Sequence, residues 1–350
     1  MSESTVETWR STYEREKRRV TARPAYSCAF PPSRDVVGYA RAAQELGFQC
    51  IWIYDSPALY GDQWVALARI AEQVPEIGLA TGVAVPSMRH PMVTASAIAT
   101  IEELSPGRLE VFFGTGFTAR LSMGQRGGSW AGLAEYVKQV RGLLAGEVVV
   151  IEGKKCRMLH SPGFAPARPI DVPIGLAPVG PKGFSISREL TDRVILTGIP
   201  SAEQAGWART AILVNGTVLD SGEDAGSKRV IEAAGPAYAT SAHAYFEWAP
   251  DLLDTIPGGA AWRDRIRSEW PEDEWHLPVH EGHLVEIKEL DRPLVDAAGE
   301  RILQTGWTGT AAEVAARLDE AGAAGVTEVV WCPAGPDIPR ELAAIAAAST

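Results

Sequence analysis

From residue 26 onward, the chain alternates short continuous apolar runs with stretches whose apolar residues recur at helical spacing. "YSCAF" (26–30) is a first strand, and "SRDVVGYARAAQELGF" follows it as a helix. There Val36, Val37, Ala40, Ala43 and Leu46 share one face, and Gly47 supplies the stop. "QCIWIYD" (49–55), "IGLATGVAVP" (77–86) and "GRLEVFFGTG" (107–116) read as strands two to four. Between and after them, 62–73, 91–104 and 129–147 read as helices, with Pro91 at a first-turn position. "VVVIEGKKCRML" looks like a small hairpin. "VPIGLA" (172–177), "GPKGFSISREL" (180–190) and "DRVILTGI" (192–199) continue the alternation. "RVIEAAGPAYA" (229–239) is taken as a seventh strand and "TEVVWCPAG" (327–335) as an eighth. Before the eighth, Thr310 and Glu313 form a capping box.

Strands that are apolar along their whole length are buried on both faces, as in a parallel sheet. Eight such units, evenly spread, predict an α/β fold of the (β/α)8 barrel type, with an open doubly wound sheet as the alternative. No G-x-G-x-x-G follows the first strand, which removes the main support for a Rossmann dinucleotide site. The expected division is an N-terminal extension over 1–24 and a single barrel domain over 25–350. Residues 240–300 break the alternation and carry four Trp (248, 262, 270, 275) and four His (243, 276, 280, 283). Lying between strands seven and eight, this insertion belongs at the rim that holds barrel active sites, either as a lid or pocket wall or as a small packed subdomain.

Composition narrows the classes of function. A net charge of −11 over 350 residues argues against nucleic acid or an anionic membrane surface as partner. No apolar run approaches the ~20 residues of a membrane span. The polar start, "MSESTVETWRSTYEREKRRVTARP", is no secretory signal and reads as a short amphipathic helix or a frayed tail. Cys28, Cys50, Cys156 and Cys332 are not spaced for metal pairs and read as thiols of a reducing, cytoplasmic compartment.

In a parallel barrel the C-terminal strand ends share one rim. Those ends are Asp55-Ser56, Gly82-Val83-Ala84, Gly114-Thr115-Gly116, Pro178-Val179-Gly180 and Thr197-Gly198. Small residues there either just make turns or let a flat ligand lie against backbone. Gly82, inside an otherwise good strand, marks a bulge or a close approach. Gly180-Pro181 opens a helix beside Lys182, a start suited to phosphate. No G-x-S-x-G or H-E-x-x-H occurs. "HEGH" (280–283) is followed by "LVEIKEL", which reads as extended chain, so no metal ligands are assigned. His90, before Pro91, is expected to make a structural hydrogen bond.

Taken in order, "WIYDSPALYGDQWVALARIA", "LATGVAVPSMRHPMVTASAIATIEELSPGRLEVFFGTG", "GEVVVIEGKKCRM", "GLAPVGPKGFSISRELTDRVILTG" and "GTAAEVAARLDEAGAAGVTEVVWCPAG" resemble the luciferase-like monooxygenase superfamily. Within it they are most similar to the deazaflavin (coenzyme F420)-dependent branch that includes methylenetetrahydromethanopterin reductase. The resemblance implies a non-prolyl cis peptide at Gly82-Val83 backing the deazaflavin ring, with Ala84 beside it. It also implies a cofactor site completed by Gly114, Thr115 and Gly116 and a phosphate loop at Pro178, Val179, Gly180 and Pro181. Branch members that oxidise sugar phosphates or alcohols carry a His after the strand-two Asp and an acidic residue after Gly-Thr-Gly; here Ser56 and Phe117 stand there. That departure points to a reductase acting on a small electron-poor substrate, with Asp55, Ser56 or Tyr60 orienting the acceptor or donating a proton. The alternatives are an FMN-dependent monooxygenase and a non-catalytic flavin-binding homologue. A homodimer is implied by resemblance.

Overall fold

The computed structural model describes residues 23–350, so the expectations for the N-terminal helix or tail lie outside the described residues. Eight parallel strands close into a barrel. They are β1 (Ala25–Phe30), β2 (Cys50–Ile53), β3 (Gly78–Thr81), β4 (Leu109–Phe113), then, after the hairpin β5 (Val149–Ile151) and β6 (Lys154–Cys156), β7 (Ile174–Leu176), β8 (Arg193–Leu196), β9 (Arg209–Asn215) and β10 (Glu328–Cys332). The order around the barrel is β1-β10-β9-β8-β7-β4-β3-β2, with β1 pairing β10 at Cys28↔Trp331 to close it.

Helices pack outside the strands where the periodicity placed them, with one short helix, 117–121, that it did not mark. They are α1 (Val36–Glu45), α2 (Gln63–Gln73), α3 (Pro91–Leu104), α4 (Phe117–Leu121), α5 (Trp130–Ala145) and α6 (Gly180–Leu190). Their starts are chemically marked. Asp62 accepts the backbone N–H groups of Trp64 and Val65, and Ser129 accepts that of Gly132. His90 caps α3 by accepting the Met92 N–H at 3.2 Å, the structural role its position suggested.

One strand was misplaced. Residues 229–239 are not the seventh strand but part of a long helix, α7 (Lys228–Trp248). Val230, Ala233, Ala234, Tyr238 and Ala242 are buried at helical spacing, and Ala is the best helix former. Pro236 lies within this helix and is buried. The seventh barrel strand is β9, whose "TAILV" is flanked by polar residues and pairs with both β8 and β10.

After α7 come α8 (Gly259–Glu269), α9 (His276–His280) and α10 (Arg292–Asp296), interleaved with 3-10 turns. This insertion has a core of its own, with Leu253, Trp262, Ile266, Val279 and Leu294 packed on α7. No strand forms at 284–290, against the extended reading of "LVEIKEL". The last unit, α11 (Ala311–Ala323), carries the capping box of Thr310 and Glu313, and α12 (Ile338–Ser349) ends the chain.

The two ends of the barrel differ in chemistry. At the N-terminal end, Glu328 is buried and accepts from Trp52 Nε1 at 3.2 Å and from Arg209 at 2.5 Å. Arg209 also reaches Glu110 at 3.0 Å. This end is plugged by paired charge, which leaves the C-terminal end as the place for a ligand. The cysteines are all free: Cys28, Cys50 and Cys332 are buried, while Cys156 is partly exposed.

Candidate active site

The site is built around the break in β3. Pairing with β4 runs through Leu79↔Leu109 and Ala80↔Glu110, then resumes at Ala84↔Phe113, one residue out of step. The extra residue makes a bulge. The Gly82-Val83 peptide within it is cis. Thr81 spans the gap in the ladder. Its hydroxyl donates to the Phe112 carbonyl at 2.8 Å and accepts the Phe112 N–H at 2.8 Å. Beyond the break, the Ala84 N–H donates to the Phe112 carbonyl at 2.8 Å, and the Gly114 N–H donates to Ala84 at 3.1 Å.

The two glycines after β4 make room for this bulge. A Cβ at Gly114 would sit 2.7 Å from Val83 Cγ2, and one at Gly116 only 2.4 Å from Val85 Cγ1. Gly116 also has φ +82°, a conformation that side chains disfavour. The glycines at the rim thus serve close packing of β3 on β4, and through it the shape of the backbone at the bulge. Thr115 is tied in through its carbonyl, which accepts the Gly128 N–H at 2.8 Å.

Asp55 leaves the end of β2 beside the same bulge. Its carboxylate accepts the Val85 N–H at 2.9 Å. Burial pushes its pKa up to about 6; the Val85 N–H and the charge of Arg89 oppose the rise, and Asp62 adds to it. A carboxyl poised near neutrality can hold or release a proton under working conditions. Ser56 is buried, and its carbonyl accepts the N–H groups of Leu59 and Tyr60 in a tight turn. That turn delivers Tyr60, whose hydroxyl donates to the backbone carbonyl of His283 in the insertion. Burial raises the pKa of Tyr60, so the phenol stays protonated.

Pro178, Val179, Gly180 and Pro181 form the junction of β7 and α6. Pro178 is buried, whereas Val179, Gly180, Pro181 and Lys182 are exposed. The helix start has no side-chain cap, and a Cβ at Gly180 would meet nothing within 4 Å. Since β2, β3, β4 and β7 are successive neighbours, Asp55, Gly82–Ala84, Gly114–Gly116 and Pro178–Pro181 lie along one arc of the mouth.

The chain matches the luciferase-like monooxygenase family over residues 9–328. It belongs to that family. It is 25% identical over 334 residues to the 5,10-methylenetetrahydromethanopterin reductase of Archaeoglobus fulgidus, covering 87% of this chain and 91% of that enzyme. To the enzyme of the same name from Methanolobus tindarius it is 33% identical over 172 residues, 47% of this chain; the match spans only half the length of that enzyme. The coenzyme F420-dependent tetrahydromethanopterin reductase of Methanopyrus kandleri has the same fold, with a TM-score of 0.61 at 20% identity, covering 93% of this chain and 98% of that one.

In this luciferase-like chain the arc also acquires residues that sequence reasoning did not put together. Phe117, at the first position of α4, stacks on Trp248, at the end of α7, with ring centroids 5.2 Å apart, and both are exposed. The sequence marked Phe117 as a departure but gave no sign of its partner 131 positions away. The insertion has the packed core of a small subdomain, with Trp262 inside it and Trp270 and Trp275 packed against it, while Trp248 stacks on Phe117. The sequence also gave no sign that three of the insertion's histidines meet. His243, His280 and His283 are buried together, because 276–280 is helical and α7 brings His243 alongside.

Proposed function

We propose that the protein is a coenzyme F420-dependent oxidoreductase that acts as a reductase of a small, electron-poor organic substrate. The observation that carries this reading is the arc of bulged β3 backbone, Gly114–Gly116 and the exposed start of α6 on adjacent strands. The names of the aligned reductases support the choice of deazaflavin over flavin. The arc fits such a cofactor. It pairs a strip of main chain with few side chains, able to lie along a flat ring, with uncapped N–H groups at a helix start, able to take a phosphate.

Gly82, Val83 and Ala84 would back the ring, Gly114, Thr115 and Gly116 would flank it, and Val179, Gly180 and Pro181 would hold phosphate with Lys182 adding positive charge. The bound cofactor supplies the two-electron hydride chemistry. The protein's own part is orientation and proton control. Asp55 fixes the β3 loop through Val85 and, with a pKa near 6, can carry a proton at the edge of the arc. Tyr60 and the Phe117–Trp248 pair would form the acceptor side, the two stacked rings offering an exposed apolar face to the substrate. With Ser56 and Phe117 at the positions noted above, no His/Glu pair is available to take a proton from an alcohol, which favours reduction. We further propose a cytoplasmic homodimer; among the described residues no helix is long and apolar enough to cross a membrane.

The test is a fluorescence titration of the protein with oxidised coenzyme F420 and, separately, with FMN. Saturable F420 binding at least tenfold tighter than FMN binding, followed by turnover of electron-poor acceptors with reduced F420, is the expected result. Preference for FMN would make it a monooxygenase, and binding of neither would remove the enzymatic reading.

A further inference from the structure

His243 on α7, His280 at the end of α9 and His283 in the following turn converge between the insertion and the barrel mouth. Their side chains are 1%, 1% and 4% exposed, and one ring nitrogen from each falls within 4.8 Å of the others. Each Nε2 faces an oxygen. That of His243 is 3.4 Å from Asp291 Oδ1, that of His280 is 3.5 Å from Glu247 Oε1, and that of His283 is 3.4 Å from Thr118 Oγ1. Asp291 is itself oriented by Trp262, whose Nε1 donates to it at 2.9 Å. On the opposite side, the Nδ1 atoms of His243 and His283 face each other 3.0 Å apart.

That pattern has the donor chemistry of a metal centre. Metal-bound imidazoles typically give their second nitrogen to a carboxylate or another oxygen, which fixes the tautomer. Two nitrogens bound to one tetrahedral ion at 2.0–2.1 Å stand about 3.3 Å apart, close to the separation of the two Nδ1 atoms. In the absence of an ion, His243 and His283 can still pair, one Nδ1–H donating to the other while Thr118 donates to His283. That arrangement leaves His280 Nδ1 buried with no hydrogen-bond partner among the described residues, and Nε2 with only the long 3.5 Å approach of Glu247. Such an orphaned group is costly and calls for a ligand.

We propose that His243, His280 and His283 bind one divalent transition-metal ion of the zinc type. Three imidazoles leave a further coordination position for water. Because Tyr60 donates to the carbonyl of His283, the ion would fasten the insertion to the loop after β2 and hold the rim together. This site shares no residue with the cofactor arc, and its test does not depend on the F420 assignment.

The experiment uses full-length protein made without a polyhistidine tag, stripped with EDTA and titrated with Co(II). Expected are visible d–d bands of a four- or five-coordinate ion saturating at one equivalent, their loss on adding Zn(II), and a higher thermal midpoint with metal than without. His280→Gln should lower Co(II) affinity at least a hundredfold while leaving the metal-free protein folded, since that ring has only the long approach of Glu247 to lose. Asp291→Asn should weaken binding about tenfold through His243. Sub-stoichiometric or featureless binding overturns the proposal, as does one-equivalent binding that His280→Gln leaves unchanged. Should Asp291→Asn fail to fold, the His280→Gln titration alone decides. Coenzyme binding is read separately, so its failure would not be mistaken for failure of the metal site.

Discussion

Asp55 shows how one side chain can serve both shape and chemistry. The carboxylate that fixes Val85 is costly to ionise because burial removes its solvation. Its pKa is about 6 in the folded chain and about 3.9 unfolded. Between those values the folded state holds the proton more tightly, so stability is lost as pH rises from about 4 to 6 and is level above that. Asp55→Asn keeps an oxygen for Val85 and removes the penalty. The variant should be more stable than the parent at pH 7.5, by up to about 3 kcal/mol. The gain should shrink through pH 6 and vanish below pH 4, as measured by urea unfolding across that range. The same variant should reduce turnover if Asp55 handles the proton. At Gly116 the constraint is steric. Gly116→Ala forces a Cβ against Val85 at positive φ, and should cost about 1–3 kcal/mol together with much of the cofactor affinity. Chemical denaturation and the F420 titration read the two effects.

At the scale of elements, the barrel has one end for stability and one for ligand. The Glu328–Arg209–Glu110 chain ties β10, β9 and β4 where the strands begin. Glu328→Ala would leave Arg209 with half its pairing and Trp52 Nε1 without its acceptor, and should destabilise the protein by about 3 kcal/mol while leaving coenzyme affinity in the surviving folded fraction unchanged. A comparable loss of F420 binding would mean that the two ends are coupled. The elements themselves were largely legible. Helix α3 begins and ends where its pattern placed it, and the capping box of α11 is intact. Strand β3 proved shorter than the apolar run that predicts it, because the bulge interrupts its ladder. The error at 229–239 has a local cause. An Ala-rich stretch interrupted by Gly-Pro has a weak period, and only its packing against the insertion's core sets it as a helix.

For the whole molecule, the insertion meets the barrel at the rim. Its exposed Trp248 meets Phe117 across the rim, while the rest of its core stands apart from the barrel's. Trp248→Ala and Phe117→Ala should each raise KM for the acceptor severalfold, with F420 affinity and unfolding midpoint nearly unchanged, because both rings are exposed. Steady-state kinetics beside thermal unfolding checks this; an unaltered KM would remove the pair from the acceptor side. What the sequence by itself determined was local: the strand–helix alternation, the caps, and the small residues grouped at strand ends, all set by spacing over a few residues. The tertiary structure alone decided which apolar run closes the barrel and which backbone N–H Asp55 holds. It also decided that three histidines, two of them 37 and 40 residues along the chain from the third, share one buried centre. Those outcomes depend on contacts between distant segments, which packing selects and local periodicity does not encode.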